Sequence, residues 1–101
     1  MIKISRGSLY LDAAVYDLYF AGLEAVILLG RGDDLLIMPV RNTASGGYLL
    51  KLKNSAGDRI VNAMDFFHEQ GIGNQEASSF PVTWNQQAAA LIVKNAFKTA
   101  K

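Results

Sequence analysis

Apolar side chains fall on even positions at Ile2 and Ile4 but on odd positions at Leu9 and Leu11, so a strand running through this stretch must slip by one residue. Arg6 and Gly7 stand at the slip, and a glycine bulge there accounts for it. Asp12 then reads as an N-cap. Val15, Leu18, Tyr19 and Gly22 keep the i, i+3, i+4, i+7 spacing of an amphipathic helix, with Gly22 and Leu23 as its stop. Two apolar runs follow, residues 25–29 and 35–40, separated by Gly30, Arg31, Gly32, Asp33 and Asp34, which predicts a β-hairpin with a five-residue loop. Neither run alternates. Strands apolar on both faces have none to give to water, so in a chain this small they imply a closed, barrel-like core or a dimer interface.

Beyond a small-residue loop at 41–47, Tyr48, Leu50 and Leu52 alternate with Leu49, Lys51 and Lys53 as in a half-exposed strand. Residues 54–57 make a turn and residues 59–61 return as a strand. Asn62 reads as the cap of a second helix, with Ala63, Phe66 and Phe67 as its apolar face and Gly71 with Ile72 as its end. Residues 73–79 are polar and read as a loop. Phe80, Val82 and Trp84 alternate again, and Pro81 assigns that strand to a sheet edge. The last segment reads two ways: as a buried strand up to Lys94, or as an Ala-rich helix with Lys94, Lys98 and Lys101 opposing its dipole. The strand reading agrees with the repetition described next.

One unit, strand, capped helix, glycine with an aliphatic residue, then hairpin, recurs over about 2–40 and 58–95 within a single domain, 1–101. Leu11, Asp12 and Ala13 match Val61, Asn62 and Ala63, and Gly22 and Leu23 match Gly71 and Ile72. In this organisation the chain resembles the AbrB and MraZ group of swapped-hairpin proteins, whose unit is a strand, a short helix and a hairpin, doubled within one chain in MraZ. Gly57, Asp58, Arg59, Ile60 and Val61, then a helix through Asp65, Phe66 and Phe67 to Gly71 and Ile72, carry the likeness; residues 7–23 follow it more loosely. The resemblance implies an α+β fold of two βαββ units forming a mostly antiparallel β core or barrel with two short helices, and a DNA-binding transcriptional regulator. MraZ-like helices carry an acidic residue with an arginine a few positions on, whereas neither 17–23 nor 65–71 holds an arginine. Asp12 and Asn62 stand where that family has proline, so the likeness bears on the fold more than on DNA binding.

Composition narrows the chemistry. The 101 residues are 50% apolar and 19% charged, which suits one globular core. Ten basic and nine acidic side chains nearly cancel, leaving little long-range field to attract nucleic acid or a membrane. The absence of cysteine removes disulfides, thiolate nucleophiles and thiolate metal sites, and fits a cytoplasmic location. The opening residues lack the charged head and long apolar run of a secretory signal, and the longest apolar runs are too short to cross a bilayer. A soluble protein with no membrane partner is the expectation.

His68 is the single histidine, with Asp65 and Glu69 near it on the second helix. Without a second histidine or a cysteine it makes a poor metal site, and without a nucleophile motif a poor general base. Asp33 and Asp34 suit a turn better than a carboxylate pair. The 41–47 loop, with Arg41, Thr43, Ser45 and two glycines, is the best anion-binding stretch but lacks the lysine and helix of a P-loop. Lys3 and the set Arg6, Arg31, Arg41, Lys51, Lys53 and Arg59 are the candidate anion or nucleic-acid contacts. The aromatic residues Trp84, Phe66, Phe67, Tyr16 and Tyr19 read as core. The expectation is a non-enzymatic interaction module, without cofactor, metal or catalytic set, that associates with itself or another protein; the alternative is a DNA-binding regulator, and an anion sensor using the 41–47 loop comes third.

Overall fold

Arg6 and Gly7 reverse the chain instead of bulging it. In the computed structural model, which describes residues 1–73 and 75–98, both have positive φ, 48° and 85°, and Ser5 stands opposite Ser8. Two successive left-handed residues make the tight turn whose twist suits a hairpin, so β1 (Ile2–Ser5) and β2 (Ser8–Leu11) pair antiparallel. A phase slip of one residue is what such a turn leaves in the sequence. Ile2 opposes Leu11 and Ile4 opposes Leu9, all four pointing inward.

Asp12 caps α1 (Ala13–Tyr19) as expected, its Oδ1 accepting from the Val15 amide at 2.9 Å. The helix is short, and its stripe is narrower than the spacing predicts: Val15 is buried but Leu18 is 72% exposed. Gly22, at φ 80°, turns the chain into β3 (Ala25–Arg31), which pairs with β4 (Asp34–Val40). Arg31 opposes Asp34, so this hairpin has a two-residue loop, Gly32 and Asp33, instead of five. The glycine and charged residues mistaken for loop are the strand ends.

The stretch around Leu50 is two strands. β5 (Tyr48–Leu49) pairs with β3, whereas β6 (Lys51–Leu52) pairs with β7 (Arg59–Asn62), so the chain passes from one sheet to the other at the buried Leu50. The same happens later. β8 (Ser78–Phe80) pairs with β1 and β9 (Thr83–Asn85) with β10 (Ala90–Val93), and Pro81 lies in the crossing between two edge strands. Ser78 and Ser79, expected in a loop, belong to β8. Residues 90–93 are strand and residues 94–97 turn back, so the described part of the C-terminal segment is not helical; Lys101 and Asn74 lie outside the described residues.

Asn62 does not cap the second helix, α2 (Met64–Glu69). It ends β7, where its Oδ1 accepts from the Ser8 hydroxyl across the strand pair at 3.0 Å, and Ala63 occupies the cap position without a side-chain bond. The other end of α2 is as expected. Gly71, at φ 85°, donates to the His68 carbonyl and Ile72 donates to the Phe67 carbonyl, each at 3.0 Å, while Phe67 and Ile72 are both buried. That reciprocal pair with its apolar contact is the Schellman stop.

The result is α+β: two short helices and two antiparallel five-stranded sheets that share one core. The first sheet runs β6-β7-β2-β1-β8 and the second β5-β3-β4-β10-β9. Of the two architectures expected, barrel or simple β core, the sheets form the open one, each keeping two edges. Ile2, Leu9, Leu11 and Val61 of the first face Val26, Leu35, Ile37 and Leu91 of the second across the core. Phe20 and Phe67 join that core from just beyond α1 and from α2.

Candidate interaction faces

Side chains alternate across a strand, and partners in register share a face, so each sheet's outer surface can be read from its pairing. Across the first sheet one outward row runs Lys51, Ile60, Tyr10, Lys3, Ser79. The next holds Ser5, Ser8 and Asn62. This is a face for water: lysines, hydroxyls and an amide around one tyrosine and one isoleucine.

The second sheet differs. Its inward residues are Val26, Leu28, Leu35, Ile37, Leu91 and Val93. The residues between them point outward, in a row Leu29, Leu36, Ile92, Thr83, beside Ile27 with Met38 and then Leu49, Ala25, Val40. No charged side chain stands in those rows; Arg31 and Asp34 close the hairpin end. Leu29 and Leu49 remain 45% and 46% exposed, and neither helix lies over this face, since Val15, Phe20 and Phe67 all pack into the shared core. At the usual rise and spacing, the five strands of seven, seven, four, three and two residues cover roughly 370 Å² in plan, and Leu36 and Ala25 within that area are hidden from water.

The expected basic contacts do not converge as a set. Arg6 sits in the β1–β2 turn, Arg31 ends β3 and Arg41 follows β4, at opposite ends of the second sheet's hairpin. Arg59 is used structurally: its guanidinium stacks 3.9 Å above the Tyr16 ring and Nη1 donates to the Gly57 carbonyl. Lys53 does meet Lys3, their ammoniums lying 5.2 and 5.0 Å from the Tyr10 ring centre, and Lys51 stands on the same face. Beside them is a shallow hollow of about 250 Å³ whose acids, Asp12 and Asp58, both serve α1. The pairing of Lys3 with Lys53 has no sequence signal, since it depends on β6 reaching the first sheet through β7.

His68 is exposed on α2 and Asp65 is engaged elsewhere, accepting from the Tyr48 hydroxyl at 3.1 Å. Burial, then that bond, then the charges of Asp65 and Glu69 hold the Tyr48 phenol above its ordinary range. Among the described residues no three histidine, aspartate or glutamate side chains gather as metal ligands. In the 41–47 loop the Ala44 amide donates to Asn42 Oδ1 at 2.9 Å and the Gly46 amide to the Thr43 carbonyl, so two of its donors are used within the loop. No helix of the described residues is long and apolar enough to cross a membrane. A scan against protein-family models gave no match to this chain, and comparisons with curated proteins and with solved structures gave none either.

Proposed function

We propose that the chain is a non-enzymatic interaction module of the cytoplasm that docks another protein surface through the outer face of the second sheet. One observation carries this reading: the two outer faces have opposite chemistry, lysine, serine and asparagine on the first sheet against isoleucine, leucine and methionine on the second. The reading is tested by a hydrophobic dye. Dilute chain binds the dye, and the Leu29→Lys/Met38→Lys variant loses the binding while melting as the parent does. Undiminished dye binding in that variant contradicts the assignment.

The same reading takes the chain as a duplicated unit. Its support is strand order: β6-β7-β2-β1 is symmetric about β2 with β7, and β3-β4-β10-β9 about β4 with β10. A second functional reading, a DNA-binding regulator of the AbrB/MraZ kind, draws on Lys3, Lys51 and Lys53 sharing the first sheet's outer face. Neutralising several phosphates makes affinity fall steeply with salt, so a flat salt response excludes it.

A further inference from the structure

We infer that the hollow on the first sheet beside Lys3, Tyr10 and Lys53 is a site for a small phosphate dianion, free or as a monoester. It lies on the sheet opposite the docking face and does not depend on that reading.

The site is assembled by the topology. Lys3 comes from β1, Tyr10 from β2 and Ser79 from β8, while Lys53 follows β6 and reaches them across β7. Lys3 pairs in register with both Tyr10 and Ser79, so these three stand in one outward row. The two ammoniums close on the same ring, at 5.0 and 5.2 Å from its centre, and both lysines line the hollow of about 250 Å³. A ring face holds an exposed ammonium weakly, and two like charges gathered at one ring repel each other. An anion between them turns that repulsion into attraction.

Donors and acceptors around the hollow are unequally committed. Asp58 Oδ1 accepts from the Ala13 amide at 2.9 Å and its Oδ2 from the Asn54 side chain at 3.1 Å. Asp12 Oδ1 accepts from the Val15 amide at 2.9 Å, and its Oδ2 stands 3.5 Å from the Met1 ammonium. Neither carboxylate is ion-paired with a lysine. Among the described residues, no protein group bonds the Lys3 and Lys53 ammoniums or the Tyr10 and Ser79 hydroxyls.

The hollow therefore offers donors and asks for acceptors. A phosphate brings several oxygens and close to two negative charges at neutral pH, matching two ammoniums and two hydroxyls. A carboxylate fits less well, because its planar pair of oxygens is best met by a guanidinium fork and no arginine lines the hollow. The volume falls below the roughly 300–1,000 Å³ of sites that enclose drug-sized ligands, which restricts the occupant to phosphate and its small esters. Lys51 stands on the same face without lining the hollow. That separates this site from a DNA-binding face, on which all three lysines would meet backbone phosphates.

The test is an NMR titration of the full chain with inorganic phosphate, at constant ionic strength and neutral pH. Saturable shifts at the Tyr10, Lys53 and Ser79 amides are expected, with a Kd in the millimolar range. Lys3→Gln and Lys53→Gln should each weaken binding about tenfold, whereas Lys51→Gln should change it less than about twofold. Methyl phosphate should bind within a few-fold of inorganic phosphate. Shifts that stay linear to about 50 mM phosphate overturn the site, as does methyl phosphate failing to bind. A loss shared equally by the three lysine variants also overturns it, and a short DNA duplex that all three weaken alike would assign the face to the nucleic-acid reading instead.

Discussion

Leu35 and Leu36 are adjacent, both are hidden from water at 0% and 2% exposure, and they point to opposite sides of the second sheet. Leu35 belongs to the core that holds the two sheets together, whereas Leu36 stands on the outer side, in register between Leu29 and Ile92. Equal burial therefore conceals different roles. Leu35→Ala should destabilise by roughly 2–5 kcal/mol, the range for a core leucine. Leu36→Ala, measured by urea unfolding in dilute solution, should also cost roughly 2–5 kcal/mol, because the same burial is lost from the other side of the sheet.

Turn chemistry gives a stabilising prediction. Arg6 adopts φ 48° in a two-residue turn that favours asparagine followed by glycine. Arg6→Asn should raise the unfolding free energy by about 1 kcal/mol, because asparagine tolerates the left-handed region better than arginine. Equal or lower stability in urea would contradict the turn assignment.

Two glycines with the same φ of 85° should respond differently to alanine. At Gly71 an added Cβ meets nothing within 4 Å, so only the backbone conformation resists and the loss should be about 1 kcal/mol. At Gly7 it would lie 2.5 Å from Met64 Sδ and 2.9 Å from Met64 Cα. Gly7→Ala should accordingly cost more than Gly71→Ala, by about 1–3 kcal/mol of overpacking, as thermal or urea unfolding of both would show.

Asp58 ties the second half of the chain to the first, its Oδ1 accepting from the Ala13 amide at 2.9 Å beside the Asp12 cap. Its bond from Asn54, then that from Ala13, and the charge of Lys53 hold the carboxyl below its ordinary range. A depressed carboxylate adds stability that is complete above its unfolded-state value, about 4, and disappears as pH falls through the lower folded-state value. Asp58→Asn should therefore lower the melting temperature at pH 7, and its gap from the parent should close in acid. A gap independent of pH would contradict an ionised Asp58 in that role.

Much of this fold was legible in the residues. Asp12 as a cap, Gly71 with Ile72 as a stop and strands apolar on both faces each rest on local chemistry that no neighbour overrides. Asn62 failed as a cap because Ser8, distant in sequence, engages its side chain in the sheet. Leu50 and Pro81 hid the crossings between sheets, since an alternating pattern persists when a chain leaves one sheet edge and joins another with the same side still inward. The apolar face was foreseeable from residues 25–29 and 35–40, but which side of the sheet it occupied required the register. The Lys3 and Lys53 pair required the strand order as well.

Urea unfolding of the Leu29→Lys/Met38→Lys variant in dilute solution puts the division between the two faces to its most direct test. If the outer face serves association and not folding, the variant should unfold within about 1 kcal/mol of the parent. A loss of about 3 kcal/mol or more, the size of a core defect, would place these side chains in the folding core and contradict the account.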